Sequence, residues 1–298
     1  SVDGGGFRGL ACLIILNQIM RRFVKDPDED PIPPCQIFDL ICGTSTGGII
    51  AILLGRLGLD CRTAISIYKE LGPKAFGHDA GKMWDNILAG ERFSSTQFET
   101  FLGKVVKDHT GNESATLRVK KNSPDPKFHE STATFVTVVP AGVGSAGVEA
   151  DRLRSYPTPD RGTDSTPLDH TWTIRQAARA TSATPLYFAP LQLDSQAFQD
   201  AGASGFNNPT MEAKLLWPDA EFVVVSLGAG LASLLPKNST SGADLSLGKA
   251  LLAKEIQEKW KNITAAPHRL EQVAEQLMKA ATDTELRHLD VANQFDRW

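Results

Sequence analysis

The feature that most constrains this chain is a glycine-bounded serine placed directly after an apolar run. Residues 36–42 (Gln-Ile-Phe-Asp-Leu-Ile-Cys) are short, mostly apolar and closed by Gly43, which reads as a buried strand. Gly43-Thr44-Ser45-Thr46-Gly47 follows, and residues 48–57 then read as a helix packed closely on that strand. Strand, tight turn and helix in this order would lift the Ser45 hydroxyl onto an exposed apex above a helix N-terminus, a nucleophile elbow. A second reading has Ser45 only capping the helix. Gly43, Gly47 and Gly48 favour the first reading, because a cap needs no such relief of crowding.

The chain opens on Asp3-Gly4-Gly5-Gly6-Phe7-Arg8-Gly9, a glycine-rich turn running into an apolar-periodic helix over 10–23. Successive backbone N–H groups at Gly4, Gly5 and Gly6 can point at one spot. That is what a tetrahedral oxyanion requires, and one such donor is typically worth roughly 3 kcal/mol of barrier. Gly4, Gly6 and Gly9 also match the G-x-G-x-x-G dinucleotide fingerprint. The context argues against that reading: Asp3 precedes the glycines, Arg8 sits where the helix packs, and no strand-borne acid follows at the expected offset.

Further along, 64–71, 95–108 and 173–181 read as helices. The runs 135–139, 196–199 and 221–227 read as strands, with a short strand near Leu153. From 247 the chain reads as helical, with Leu251, Leu252, Ile256, Leu270, Val273 and Leu277 on one face. Strands alternating with helices predict an α/β fold with a mainly parallel sheet covered on both sides, three layers in all. The expected organisation is a single domain over 1–298, its motif-bearing core ending near 230 and 245–298 forming a helical C-terminal part. The chain begins at Ser1 without Met, which suggests a piece of a longer protein.

Composition narrows the function. A net charge of −4 argues against a polyanionic partner such as nucleic acid. Cys12, Cys35, Cys42 and Cys61 form no C-x-x-C pair and mostly sit in apolar runs, so they read as reduced core residues of an intracellular protein, and no metal site is expected. No run of eighteen apolar residues exists.

A serine nucleophile needs a base. His78, His109, His129, His170, His268 and His288 all lie in polar or loop-like surroundings. The other option is a carboxylate acting directly, and the candidate is Asp200 in Phe198-Gln199-Asp200-Ala201-Gly202. At this point a family resemblance becomes specific. The segment from Asp3 to Gly9 resembles the D-G-G-G-x-R-G oxyanion motif of patatin-like phospholipases. Phe38-Asp39-Leu40-Ile41-Cys42-Gly43-Thr44-Ser45-Thr46-Gly47-Gly48 resembles their nucleophile elbow. Arg175-Gln176-Ala177-Ala178-Arg179-Ala180-Thr181-Ser182-Ala183-Thr184-Pro185 is similar to a segment of the family's fungal members. Asp200-Ala201-Gly202 with Asn207-Asn208-Pro209 resembles the D-G-[GA] motif and its downstream asparagines.

The resemblance implies a three-layer patatin-like α/β/α fold and a Ser45–Asp200 dyad without histidine. Gly5 and Gly6, with Gly4 beside them, would supply the oxyanion donors, and Arg8 would lie near the substrate head group or the hole. It implies a phospholipase A-type hydrolase of fatty-acyl esters, needing no cofactor, cytoplasmic and touching membrane or micellar lipid peripherally, with regulatory domains fused outside this segment. An esterase or acyltransferase on soluble esters would use the same chemistry. One position departs from the pattern: Ala201 stands where the motif usually has Gly. If that position needs φ > 0, Ala costs about 1–2 kcal/mol, and a weakly catalytic signalling module becomes the alternative. Trp84, Ile87, Leu88 and Phe93 could form an apolar lid, although such a cluster is more often plain core.

Overall fold

A computed structural model describes residues 1–24, 30–76, 94–118, 132–142, 149–156, 172–185, 187–216 and 223–229. All of these belong to one unit, Ser1–Pro236. The helical stretch expected over 245–298 and the lid candidates Trp84, Ile87, Leu88 and Phe93 lie outside the described residues.

The sheet is laid down from the start of the chain. Val2 bridges Gly43 on one side and Leu227 on the other, both in parallel. Val2 N–H donates to Cys42 O at 2.9 Å, Asp3 N–H to Leu227 O at 3.0 Å, and Leu227 N–H to Ser1 O at 2.9 Å. Strand β1 (Leu40–Thr44) then runs parallel to β2 (Ala133–Pro140), with Thr44 opposite Thr137. Both β3 (Asp151–Arg154) and β5 (Gln196–Asp200) pair antiparallel with β2, and β4 (Leu191–Leu193) pairs antiparallel with β5. Among the described strands the sheet is therefore mixed, not mainly parallel as expected. The connections explain it. Residues 141–150 joining β2 to β3 are fewer than the dozen or so a parallel crossover needs, and β4 and β5 are joined by a tight turn at Asp194 and Ser195. In the register of the sheet, Asp200 lies opposite Val138, one step beyond the Thr44–Thr137 pair. The middle strand thus brings the C-terminal ends of β1 and β5 together.

Two other expectations shift. The strand expected over 36–42 begins at Leu40, because Pro33 and Pro34 set up a 3₁₀ turn (Pro34–Gln36) whose Pro34 carbonyl accepts from Ile37 and Phe38. Of the described residues 223–227 in the strand expected over 221–227, only Leu227 is bridged, its described partner being the short segment 1–3.

The described helices are α1 (Gly9–Met20), α2 (Thr46–Ala51), α3 (Cys61–Phe76), α4 (Ser95–Thr110), α5 (Ile174–Thr181) and α6 (Thr210–Leu216). Thr173 and Gln176 start α5 with a reciprocal capping box, and Gly111 at φ 74° closes α4. Helix α2 runs on as a π turn (Ile52–Arg56) and lies against β1 so closely that a Cβ on Gly43 would stand 2.1 Å from Gly47 O. Helices α2 and α5 pack on the sheet, while α1, α3, α4 and α5 follow one another as packed neighbours. One apolar core runs through Leu13, Ile50, Leu54, Phe98, Val136, Val138, Ile174 and Phe198. All four cysteines are free thiols buried in the protein.

Candidate active site

Ser45 occupies the single residue between β1 and α2, with φ 57° and ψ −131°. For a residue with a Cβ such a backbone costs about 1–3 kcal/mol and persists only where its surroundings impose it. They do so here. Its N–H donates to Thr181 Oγ1 at 3.0 Å, and that hydroxyl donates onward to Thr137 O at 2.8 Å. Its carbonyl accepts from Gly48 N–H at 2.9 Å. The close approach behind it depends on glycine, since a Cβ on Gly47 would lie 2.4 Å from both Val2 O and Asp3 O. The Ser45 hydroxyl makes no capping bond to α2, so the reading in which this serine merely caps a helix fails.

That hydroxyl instead lies close enough to Asp200 to favour its charged form. Asp200 ends β5 and is 2% exposed. Its Oδ1 accepts from Gly202 N–H at 2.8 Å and its Oδ2 from the Thr184 hydroxyl at 2.6 Å. Burial pushes the Asp200 carboxyl above the ordinary carboxylate range, while the three donors (Ser45, Thr184 and Gly202) pull the other way. Ala201 begins a 3₁₀ turn (Ala201–Ser204) for which Asp200 is the cap. Among the described non-glycine residues only Ser45 and Asp194 have positive φ, so the condition for strain at Ala201, a φ > 0, is not met. The positive φ of this turn falls at Gly205, at 94°.

The glycine-rich loop lies against the serine. A Cβ on Gly4 would stand 2.8 Å from Ser45 Cβ and 2.5 Å from Asn207 Oδ1. Asn207 holds Gly4 from both sides, its carbonyl accepting from Gly4 N–H at 3.4 Å and its side-chain amide donating to Gly4 O at 3.2 Å. Gly5 N–H makes a long 3.3 Å bond to Thr46 Oγ1, and Tyr68 of α3 donates to Gly6 O at 2.5 Å. Gly6 has φ 60°. Arg8 is exposed, with Nε 3.4 Å from Gly5 O, and thus supports the loop of which it is part.

The structure therefore gathers Gly4, Gly43, Gly47, Asp200 and Gly202 around Ser45, with Gly5, Gly6 and Arg8 in the adjoining loop. Thr46, Tyr68, Thr181 and Thr184 are equally part of the site and were not singled out from sequence. Hydroxyl residues are common, and only tertiary placement shows which ones touch the serine and the carboxylate. Of the six histidines, His109 is the one described. Its Nδ1 lies 2.8 Å from Val105 O, one turn back in its own helix. No cluster of three or more His, Cys, Asp or Glu suited to a metal occurs among the described residues. No helix among them is long and apolar enough to cross a membrane.

Fold and site together define an α/β protein with a strained serine held beside a buried carboxylate and a glycine-rich loop. The family model described as patatin-like phospholipase matches residues 1–214, and this chain belongs to that family. Phospholipase A I of Arabidopsis thaliana is 32% identical over 286 residues, covering 77% of this chain and 20% of that protein. Calcium-independent phospholipase A2-gamma of Mus musculus is 32% identical over 241 residues, covering 77% of this chain and 28% of that protein. The Homo sapiens protein of the same description is 31% identical over 240 residues, with 77% and 28% covered. The chain thus spans less than a third of the length of these relatives. They come from a plant and from mammals, so they carry the family and not the fungal subgroup.

Proposed function

We propose that this chain is the catalytic part of a lipid acyl hydrolase of phospholipase A type, acting through a Ser45–Asp200 dyad. The observation that carries the proposal is a buried carboxylate, held by Thr184 and Gly202, beside a backbone-strained serine whose hydroxyl favours its charged form. In this reading Ser45 forms a nucleophile elbow. Its Oγ attacks the ester carbonyl while the proton passes to Asp200, whose raised affinity for protons suits a general base. The negative charge that develops on the carbonyl oxygen is met by backbone N–H groups of Gly5 and Gly6. The 3.3 Å bond of Gly5 N–H to Thr46 is long and is exchanged for a shorter one to the anionic oxygen. Collapse expels the alcohol with the proton held by Asp200 and leaves an acyl-Ser45. Water, deprotonated by Asp200, then attacks the acyl group, and the proton returns to Ser45 as the fatty acid leaves.

The substrate class rests on the relatives, which are named phospholipases. Contact with a lipid surface is peripheral in this reading, and the remaining length of the relatives makes room for fused domains. A weakly catalytic module was motivated only by strain at Ala201, and that motive is gone. The test is Ser45→Ala, assayed for fatty acid released from phosphatidylcholine vesicles, with circular dichroism recording the fold. Release should fall to background in a folded variant. Full activity in that variant would overturn the proposal.

A further inference from the structure

The base of the proposed dyad has a second set of contacts for which that chemistry has so far assigned no role. Asp200 meets the loop after α5 at two points: its backbone N–H donates to Ala183 O at 3.1 Å, and its Oδ2 accepts from Thr184 Oγ1 at 2.6 Å. This loop is fixed independently of Asp200. Thr184 O accepts from the N–H groups of Tyr187 and Phe188, both at 3.0 Å. Phe188 is buried, stacks on Phe98 of α4 with ring centres 5.0 Å apart, and lies 5.5 Å beneath the Arg179 guanidinium. Arg179 donates to Ala189 O at 2.5 Å and to Ser95 Oγ at 2.7 Å, and pairs with Glu99 at 3.2 Å. A buried cation and two stacked rings thus tie the Thr184 loop to α4 and α5.

We infer that Thr184 is a positioning residue for catalysis, orienting the Asp200 carboxylate toward Ser45 and holding it in the charged form that accepts the serine proton. The inference rests on the Ser45–Asp200 reading. A carboxylate buried among neutral neighbours keeps its charge only while donors face it. Gly202 N–H fixes Oδ1 from one side, and the Thr184 hydroxyl fixes Oδ2 from the other, which leaves the carboxylate one rotational setting. The groups acting on Asp200 are neutral donors from three places: the Ser45 turn, the Thr184 loop and its own turn. Charged side chains on the surrounding elements are engaged elsewhere. Arg175 and Arg179 of α5 pair with Glu113 and Glu99, Arg8 braces the glycine loop, and Asp3 lies beside Leu227 and Gly228. β2 bears no ionisable side chain.

Thr184→Val keeps the shape and deletes the donor, and Thr184→Ser keeps the donor. The readout is the pH dependence of kcat/KM on a monomeric short-chain ester, with Thr184→Ala as a smaller second deletion should the valine variant fail to fold. Deleting the donor should move the acid limb to higher pH by about one unit, so that activity on that limb falls about tenfold, because a hydrogen bond to a charged group is worth about that much. The serine variant should return the limb to the wild-type position. A deletion variant whose activity drops equally at every pH, or whose limb stays in place, overturns the inference, as does a serine variant that shifts like valine. Failure of the dyad itself would show separately, as retained activity in Ser45→Ala.

Discussion

At Ala201 the methyl group is buried with Val139, Ala150 and Phe206, and the backbone keeps a negative φ. Glycine there would remove a packed methyl and add freedom to the unfolded chain. Ala201→Gly should therefore lower the melting temperature, by the equivalent of about 0.5–1 kcal/mol, and leave kcat/KM no higher than wild type. A more active and equally stable glycine variant would show that alanine does strain the base loop. The sequence tied strain at Ala201 to a need for φ > 0 that the position does not have, because a motif letter records which residue is usual at a position, not the φ the position demands. Here a 3₁₀ turn defers the left-handed residue to Gly205. Ser45 stood out from its apolar strand and flanking glycines, and Asp200 from the want of a suitable histidine and from the family resemblance of Asp200-Ala201-Gly202. Thr181 and Thr184 were not, since a hydroxyl at a helix end gives no sign of the partner that tertiary contact will bring to it.

The elements repeat this division between local and distant causes. Helices α1, α4 and α5 were readable from apolar periodicity and from signals such as the Thr173–Gln176 box, which are properties of neighbouring residues. The direction of β3 follows from its short connection to β2, whereas that of β5 was not readable, because the strand it pairs with is remote in sequence. The strand-to-helix unit around Ser45 is the most demanding element. Helix α2 can approach the segment at Val2 and Asp3 only without a side chain at Gly47. Gly47→Ala would press a methyl group into two carbonyl oxygens and displace either α2 or the glycine loop. The expected outcome is a large loss of stability, about 2 kcal/mol or more as in overpacked cores, measured by urea denaturation. Fluorophosphonate labelling of Ser45 should slow in whatever folded fraction remains. Unchanged stability would mean that this contact relaxes freely.

On the scale of the whole molecule, stability against pH should carry the mark of Asp3. Its carboxyl is raised to about 6 by burial, and its Oδ1 is buried without a hydrogen-bond partner. A carboxyl with a raised folded pKa favours the folded state most when neutral. That contribution is complete below the unfolded value of 3.8 and is lost as pH climbs through about 6. Asp3→Asn has no charge to bury, so its melting temperature relative to wild type should be higher at pH 8 than at pH 4. An equal difference at both pH values would sink this account. The same segment also sets an order of events. Leu227 is the partner that registers residues 1–3 on their outer side, at a sequence separation longer than any strand pairing in the sheet. Contacts that distant are the slowest to close. Thr44, Ser45 and Asp200 are all synthesised before Leu227, yet the glycine loop beside them gains its outer support only afterwards. On the proposed chemistry, a growing chain carries its nucleophile and base early but completes its anion-binding wall late. Its hydrolytic power then arrives with nearly the whole described fold already made.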